Sequence, residues 1–276
     1  MRIGMVGKGG SGKTSVSWML LQTMAGLSER VVGLDADYNQ HLAAMLGLQN
    51  EAIPALADSK EALVRHVLGT RTDLTSATFR KTTLPAAGSN LLRLDGADAF
   101  LARFLAKATP HIALLRVGEF SAADRGERCY HSRTAAADIL LNHLDPAPNQ
   151  PHLLVDFTAG VDPFASPLYR QFDALVLVVE PTLKGVEVVR QWRQLLEGTP
   201  SPLLVVANKL VDPADLGWLS AQLGAKVDAA LWADPALRRH ERGEPLYWQD
   251  LLPANQAGLL ALWQQLKSYS VQQLAA

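Results

Sequence analysis

A glycine-rich run near the amino terminus, Gly7-Lys8-Gly9-Gly10-Ser11-Gly12-Lys13-Thr14, fits the spacing G-x-x-x-x-G-K-[ST]. Glycines at these places let consecutive backbone N–H groups turn inward as a nest for phosphate oxygens. A helix opening directly after the loop adds the positive end of its dipole. Lys13 is then placed to reach the β- and γ-phosphates of a nucleoside triphosphate, and the Thr14 hydroxyl to ligate Mg²⁺. Gly9, Gly10, Ser11, Gly12, Lys13, Thr14 and Ser15 are the candidate nucleotide contacts. Two acidic strand ends accompany the loop. Leu34-Asp35-Ala36-Asp37 closes one apolar run, and Leu153-Leu154-Val155-Asp156 closes another in the manner of a Walker B element. Asp156 is expected to hold Mg²⁺ through water.

The elements that must position these groups show in the alternation of short apolar runs with amphipathic stretches. Strands are expected over 2–6, 31–35, 112–117, 153–156, 174–180 and 203–207, and helices over 12–27, 134–144, 185–196 and 213–223. Strands that are apolar throughout and separated by helices indicate an α/β fold, a mostly parallel twisted sheet with helices on both faces. Ligands bind such sheets at the carboxyl ends of the strands, where the motifs lie. The chain is expected to be one P-loop nucleoside-triphosphatase domain over 1–276. Residues 59–98 are the least regular and read as a variable flap or hairpin. Leu259, Leu260, Leu262, Trp263, Leu266 and Tyr269 recur at helical spacing near the end, which predicts a terminal amphipathic helix packed on the body.

Lys8, early in the loop, makes the motif more specific. With it the chain resembles the deviant Walker A ATPases, the family of MinD, ParA, the nitrogenase iron protein, the arsenite-pump ATPase and the CooC-type ATPases of carbon monoxide dehydrogenase maturation. The resemblance implies that Lys8 crosses a homodimer to the partner's nucleotide and acts there as a catalytic cation beside Lys13. It implies that Asp37 orients or polarises the attacking water, that Asp35 supports the Mg²⁺ shell, and that Gly160 in Thr158-Ala159-Gly160 senses the γ-phosphate. Relatives often have proline where this chain has Tyr38, and CooC-type relatives often carry an acid where Thr158 stands. Val205-Val206-Ala207-Asn208-Lys209 resembles the family's base-binding segment, which assigns Asn208 and Lys209 to the nucleotide. A guanine site would want an acid three residues after Asn208; that position is Val211, with Asp212 one residue late, which favours ATP. Val178-Val179-Glu180-Pro181-Thr182 resembles the CooC-type branch, and 231–234 with 242–246 resembles the closing segment beside the base.

Where CooC-type relatives carry C-x-C at their dimer interface, this chain has Cys129-Tyr130-His131. Two copies across a twofold axis would present two thiolates and two imidazoles, a tetrahedral set suited to Zn²⁺ and open to Ni²⁺. The other reading is a buried, unpaired cysteine and an unrelated surface histidine. One cysteine per chain supplies two of the four thiolates an iron–sulfur cluster needs, so no such cluster is expected.

With 26 basic and 27 acidic side chains, net charge −1, nothing global draws the chain to DNA or an anionic membrane. The basic clusters at 125–133 and at Arg238, Arg239 and Arg242 read as solvated surface. A single cysteine, no secretion signal and no run near the roughly 20 apolar residues of a membrane span point to the cytoplasm. The expected function is a CooC-like homodimeric ATP switch in metalloenzyme maturation or metal handling, serving an unidentified protein client, with a metalloenzyme as one candidate. The alternative is a MinD- or ParA-like positioning or regulatory ATPase that binds DNA, membrane or protein without a transition metal.

Overall fold

The computed structural model describes residues 1–119, 130–160, 167–199 and 201–274, with the backbone alone at 130–132, 167–168 and 270–274. Its centre is an eight-stranded sheet. The strands are β1 (Arg2–Gly7), β2 (Val31–Ala36), β3 (Ala106–Lys107), β4 (Ile112–Arg116), β5 (His152–Phe157), β6 (Ala174–Val179), β7 (Leu203–Leu210) and β8 (Ala229–Trp232). Their order is β3-β4-β2-β5-β1-β6-β7-β8. All neighbours run parallel except the edge pair β3 and β4.

The central strands are largely apolar because they feed two cores. Ala174, Val176 and Val178 of β6 face one side, and Leu175, Leu177 and Val179 face the other. That is the period-two alternation of a sheet covered on both faces. On the first side lie α1 (Lys13–Gly26), α2 (Leu42–Met45), α7 (Pro235–His240) and α8 (Pro253–Leu274). On the second lie α3 (Lys60–Leu68), α4 (Tyr130–Asn142), α5 (Leu183–Leu195) and α6 (Pro213–Leu223).

Helix starts follow from local chemistry. Thr182 caps α5 by accepting from Gly185 N at 3.1 Å. Asp212 caps α6 by accepting from Ala214 N at 2.7 Å, in a capping box with Asp215 and with Pro213 in the first turn. The terminal amphipathic helix is present as α8, which begins at Pro253 and buries Leu259, Leu262, Trp263 and Leu266. No helix among the described residues is long and apolar enough to cross a membrane.

The flap or hairpin expected over 59–98 is corrected by the structure. Lys60–Leu68 is a helix, and no strand lies between 69 and 98. Leu63, Val64, Val67 and Leu68 are buried at helical spacing. The Thr-, Ser-, Gly- and Pro-rich stretch that follows had masked this pattern. That stretch returns to the body at Leu92, which exchanges backbone hydrogen bonds with His143 and Asp145 just beyond α4 (2.7 and 2.9 Å). Helix α4 also starts earlier than the expected 134.

The packing of α8 gives a contrast between neighbouring leucines. Leu262→Ala is expected to lower unfolding stability by roughly 2–5 kcal/mol, as buried leucine truncations do. Leu260→Ala, at a position 38% exposed, should stay within about 0.5 kcal/mol. Urea unfolding of both variants checks this.

Candidate functional site

β1 lies between β5 and β6, so its carboxyl end is held from both sides. The chain leaves it at Gly7, where a Cβ would come within 2.5 Å of the Val178 carbonyl oxygen. Gly12, at φ 91°, ends the loop and begins α1; a Cβ there would collide with the Asn208 amide. Close approach by β7 explains why that position tolerates only glycine.

β7 braces the loop from outside. Asn208 is buried, and its Nδ2 donates to Ser11 O at 2.8 Å. Lys209 Nζ donates to Gly10 O at 2.5 Å and pairs with Glu180 Oε1 at 2.9 Å. Lys209 adopts φ 61° where the β7–β8 register shifts, and this turns its side chain toward the loop. Within the loop, Lys8 O accepts from Ser11 N at 3.2 Å and from Lys13 Nζ at 3.4 Å.

Beneath the loop sits a buried acid pair. Asp35 and Asp156 are register partners on β2 and β5. Asp35 accepts from the Leu42 amide at 2.9 Å and the Asp37 amide at 3.3 Å. Burial pushes its pKa well above the usual carboxylate range, and Asp156 adds to the rise. Asp156 is fully buried, and neither of its oxygens has a hydrogen-bond partner among the described residues. Burial pushes it up to about 6; the nearby Thr14 hydroxyl and the Lys13 ammonium pull the other way. The Thr14 and Ser17 hydroxyls and the Lys13 ammonium lie close enough to act on the charge. Burial draws the Lys13 pKa down, opposed by Asp156 and Asp37. A buried carboxylate with vacant acceptors beside a threonine hydroxyl suits a hydrated divalent cation.

A cleft of about 760 Å³ opens over this floor. It is lined by Gly9, Gly10 and Gly12 to Ser15 of the loop, by Asp37, by Asn208 and Lys209, and by Trp232, Asp234, Pro235 and Arg238. Its volume falls in the range of small-molecule sites. The far wall is fixed by residues that the motifs did not reveal. Asn255 of α8 accepts from Trp232 N at 2.6 Å and donates to Asp234 Oδ2 at 2.9 Å. Asp234 in turn accepts from Ala236 N and Leu252 N. Only contact geometry could have identified Asn255, since a lone asparagine on an amphipathic helix carries no sequence signal. A second cleft of about 800 Å³ lies at the amino ends of the strands, around Arg30, Leu94 and Asn149, away from every motif.

Lys8 and Gly160 sit together at a small neighbouring cleft with Val188 and Gln191. The Gly160 amide donates to Gly7 O at 3.2 Å, tying the 158–160 segment to the end of β1. Lys8 is exposed, and its side chain makes no hydrogen bond or ion pair among the described residues. Cys129 lies outside the described residues, and His131 falls in the first turn of α4 with its side chain undescribed. Among the described residues no group of three or more His, Cys, Asp or Glu side chains could hold a metal ion.

A phosphate loop at the end of a central parallel strand, with a buried lysine and strand-end acids beneath it, defines a P-loop nucleoside-triphosphatase. Comparison with known proteins narrows the class. Residues 5–233 match the CobQ/CobB/MinD/ParA nucleotide binding domain. The chain belongs to that family. It is similar to the carbon monoxide dehydrogenase accessory protein CooC of Rhodospirillum rubrum, 28% identical over 224 residues, covering 79% of this chain and 78% of that one. Among solved structures it is similar to a ParA family ATPase from Chlorobium tepidum, with TM-score 0.65 at 15% identity over 95% of this chain and 97% of that one. It is similar also to the septum site-determining protein MinD of Pyrococcus horikoshii complexed with Mg-ADP, with TM-score 0.60 at 15% identity over 100% and 97% of the two chains.

Two outcomes test the site. Because the Asp156 pKa is raised in the folded chain, the stability tied to its neutral form is present below about pH 4 and is lost as pH rises through about 6. Asp156→Asn should therefore raise the stability of the nucleotide-free protein at pH 7.5 by on the order of 2 kcal/mol and leave it unchanged near pH 4. Thermal unfolding at both values checks the sign. Asn255→Ala should loosen the cleft wall, weakening nucleotide affinity by roughly tenfold while the loop itself stays folded. Titration with a fluorescent ATP analogue measures that.

Proposed function

We propose that residues 1–276 form one nucleotide-binding domain that binds Mg-ATP, hydrolyses it to ADP and phosphate, and works as a homodimeric switch of the CooC type in metal handling or metalloenzyme maturation. The observation that carries the reading is the unpartnered, buried Asp156 carboxylate beside Lys13 and Thr14 on the floor of the cleft. Mg²⁺ would offset phosphate charge there, held by Thr14 and, through water, by Asp156 and Asp35. Water attacks the γ-phosphorus, forming one P–O bond as the bond to the β,γ-bridging oxygen breaks; ADP leaves and the proton passes to solvent. Asp37 orients that water, and Lys13 holds the β- and γ-phosphates. Lys8, with no partner of its own among the described residues, crosses to the nucleotide of the second subunit. Gly160 exchanges its bond to Gly7 for one to the γ-phosphate.

Adenine is the base this cleft favours. Asp212, the acid nearest to a guanine-reading position, is engaged as the α6 cap. Asn208 spends its amide N–H on Ser11 O, which leaves its carbonyl oxygen to accept from an exocyclic amine. The likeness to CooC supports the metal-handling part, with Cys129 and His131 of two subunits forming a Zn²⁺ or Ni²⁺ site in a cytoplasmic protein that serves a protein client.

Lys13→Ala should reduce ATP turnover by at least about 10²-fold, and Lys8→Ala should do so while leaving nucleotide affinity nearly unchanged. Steady turnover by Lys13→Ala would overturn the ATPase reading. Solution mass and bound metal, with and without ATP, test the finer part. Wild type is expected to form a dimer holding about one ion per two chains, and Cys129→Ala/His131→Ala to hold none. Dimers without metal would favour a MinD- or ParA-like switch whose partner is DNA, membrane or protein.

A further inference from the structure

Gln40 has no place in the motifs, yet it is almost fully buried and adopts φ 51°, a left-handed conformation that a glutamine rarely takes. Its side chain explains the strain. Nε2 lies 2.5 Å from Asp37 O, 3.0 Å from Asp35 O and 3.4 Å from Asp35 Oδ1, acceptors all. Oε1 accepts from Gly118 N at 3.3 Å. With acceptors on one side and an N–H on the other, the amide can point only one way. The backbone is fixed as well, since Gln40 O accepts from Asn50 Nδ2 at 2.9 Å.

The far end of this bridge is as constrained as the near end. Gly118 follows β4, where Val117 N donates to Asp35 O at 2.9 Å. At φ 112°, a Cβ on Gly118 would lie 2.6 Å from Ala55 Cβ and 2.9 Å from Arg133 Nη2. Arg133 belongs to α4 and donates to Asp58 at 2.7 Å. One buried amide therefore joins the turn that carries both nucleotide carboxylates to the point where the β4 end meets α4.

We infer that Gln40 is a positioning residue, one that sets the Asp35–Asp37 turn for hydrolysis and couples it mechanically to Gly118 and α4. The proposal rests on the nucleotide reading above but assigns a role that reading leaves empty. A buried amide with every polar atom engaged has few alternative arrangements, so a shift of Asp37 on nucleotide binding must be taken up at Gly118. Such a two-ended hydrogen-bonded contact is the physical form that coupling between separated elements requires.

The test uses Gln40→Asn and Gln40→Gly in the full chain. Both residues accept the left-handed backbone; neither side chain can span from Asp37 O to Gly118 N. The first readout is hydrogen exchange at the Gly118 amide, with Mg-ADP as the probe. In wild type that amide should be protected and its exchange rate should change at least threefold on adding Mg-ADP. In both variants protection should fall about tenfold and the response should vanish, while amides within β4 exchange as in wild type. The second readout is kinetic: kcat should fall about tenfold with KM for ATP within about threefold. Unchanged Gly118 exchange in both variants overturns the proposal. So does a uniform loss of protection across β4 and α4, which would mark Gln40 as structural only. If wild type proves to have no ATP turnover, the ATPase reading falls, and the exchange response to Mg-ADP still decides the coupling.

Discussion

Two carboxylates, Asp35 and Asp156, are register neighbours on adjacent central strands, almost wholly removed from water. Burying one ionised carboxylate is costly, and burying two side by side adds their repulsion. Nothing in the core needs them: the surrounding strand positions are Leu, Val and Phe, and an apolar residue would pack there at no such penalty. Asp35 is offset by three amide donors, from Leu42, Asp37 and Gln40. Asp156 has the nearby Lys13 charge and vacant acceptors. The floor of the cleft is thus electrostatically unfinished in a way that a cation and a phosphate chain would complete. Perturbed carboxylates in a cleft are the expected mark of a functional site.

The rest of the architecture serves to hold that floor rigid. β1 is central, so the loop leaves a strand that is hydrogen-bonded on both edges. β7 supplies Asn208 and Lys209 as braces on the outer carbonyls of the loop, through Ser11 and Gly10. Helix α8, distant in sequence, reaches the same cleft through Asn255 and Asp234. Its apolar face packs with α1 in one core, so the helix that opens at Lys13 and the far wall of the cleft share one packed layer.

Much of this could be read from the residues alone, for physical reasons that differ between elements. The strands were legible because a sheet covered on both faces demands unbroken apolar runs, and the loop because phosphate binding admits few alternatives to glycine at its spacing. Asp35 and Asp156 were legible as acids ending apolar runs. Helix α3 was obscured by the irregular composition of the stretch after it, although Leu63, Val64, Val67 and Leu68 already carried its period. β3 and β8 are too short for periodicity to speak. Gln40 and Asn255 were invisible for a deeper reason. Each is an ordinary polar residue whose role exists only in the partners that folding brings to it, from the segment after β4 in one case and from the end of β8 in the other.

Those two residues also divide the labour around the cleft. Asn255 acts on the far wall of the cleft, through bonds to Trp232 and Asp234. Gln40 holds the turn from Asp35 to Asp37 and reaches Gly118, beyond β4. If Asn255 sets affinity and Gln40 sets turnover, as proposed above, the two would depend on separate buried polar contacts. A switch needs this separation, since holding a nucleotide and responding to its hydrolysis must be adjustable without disturbing one another.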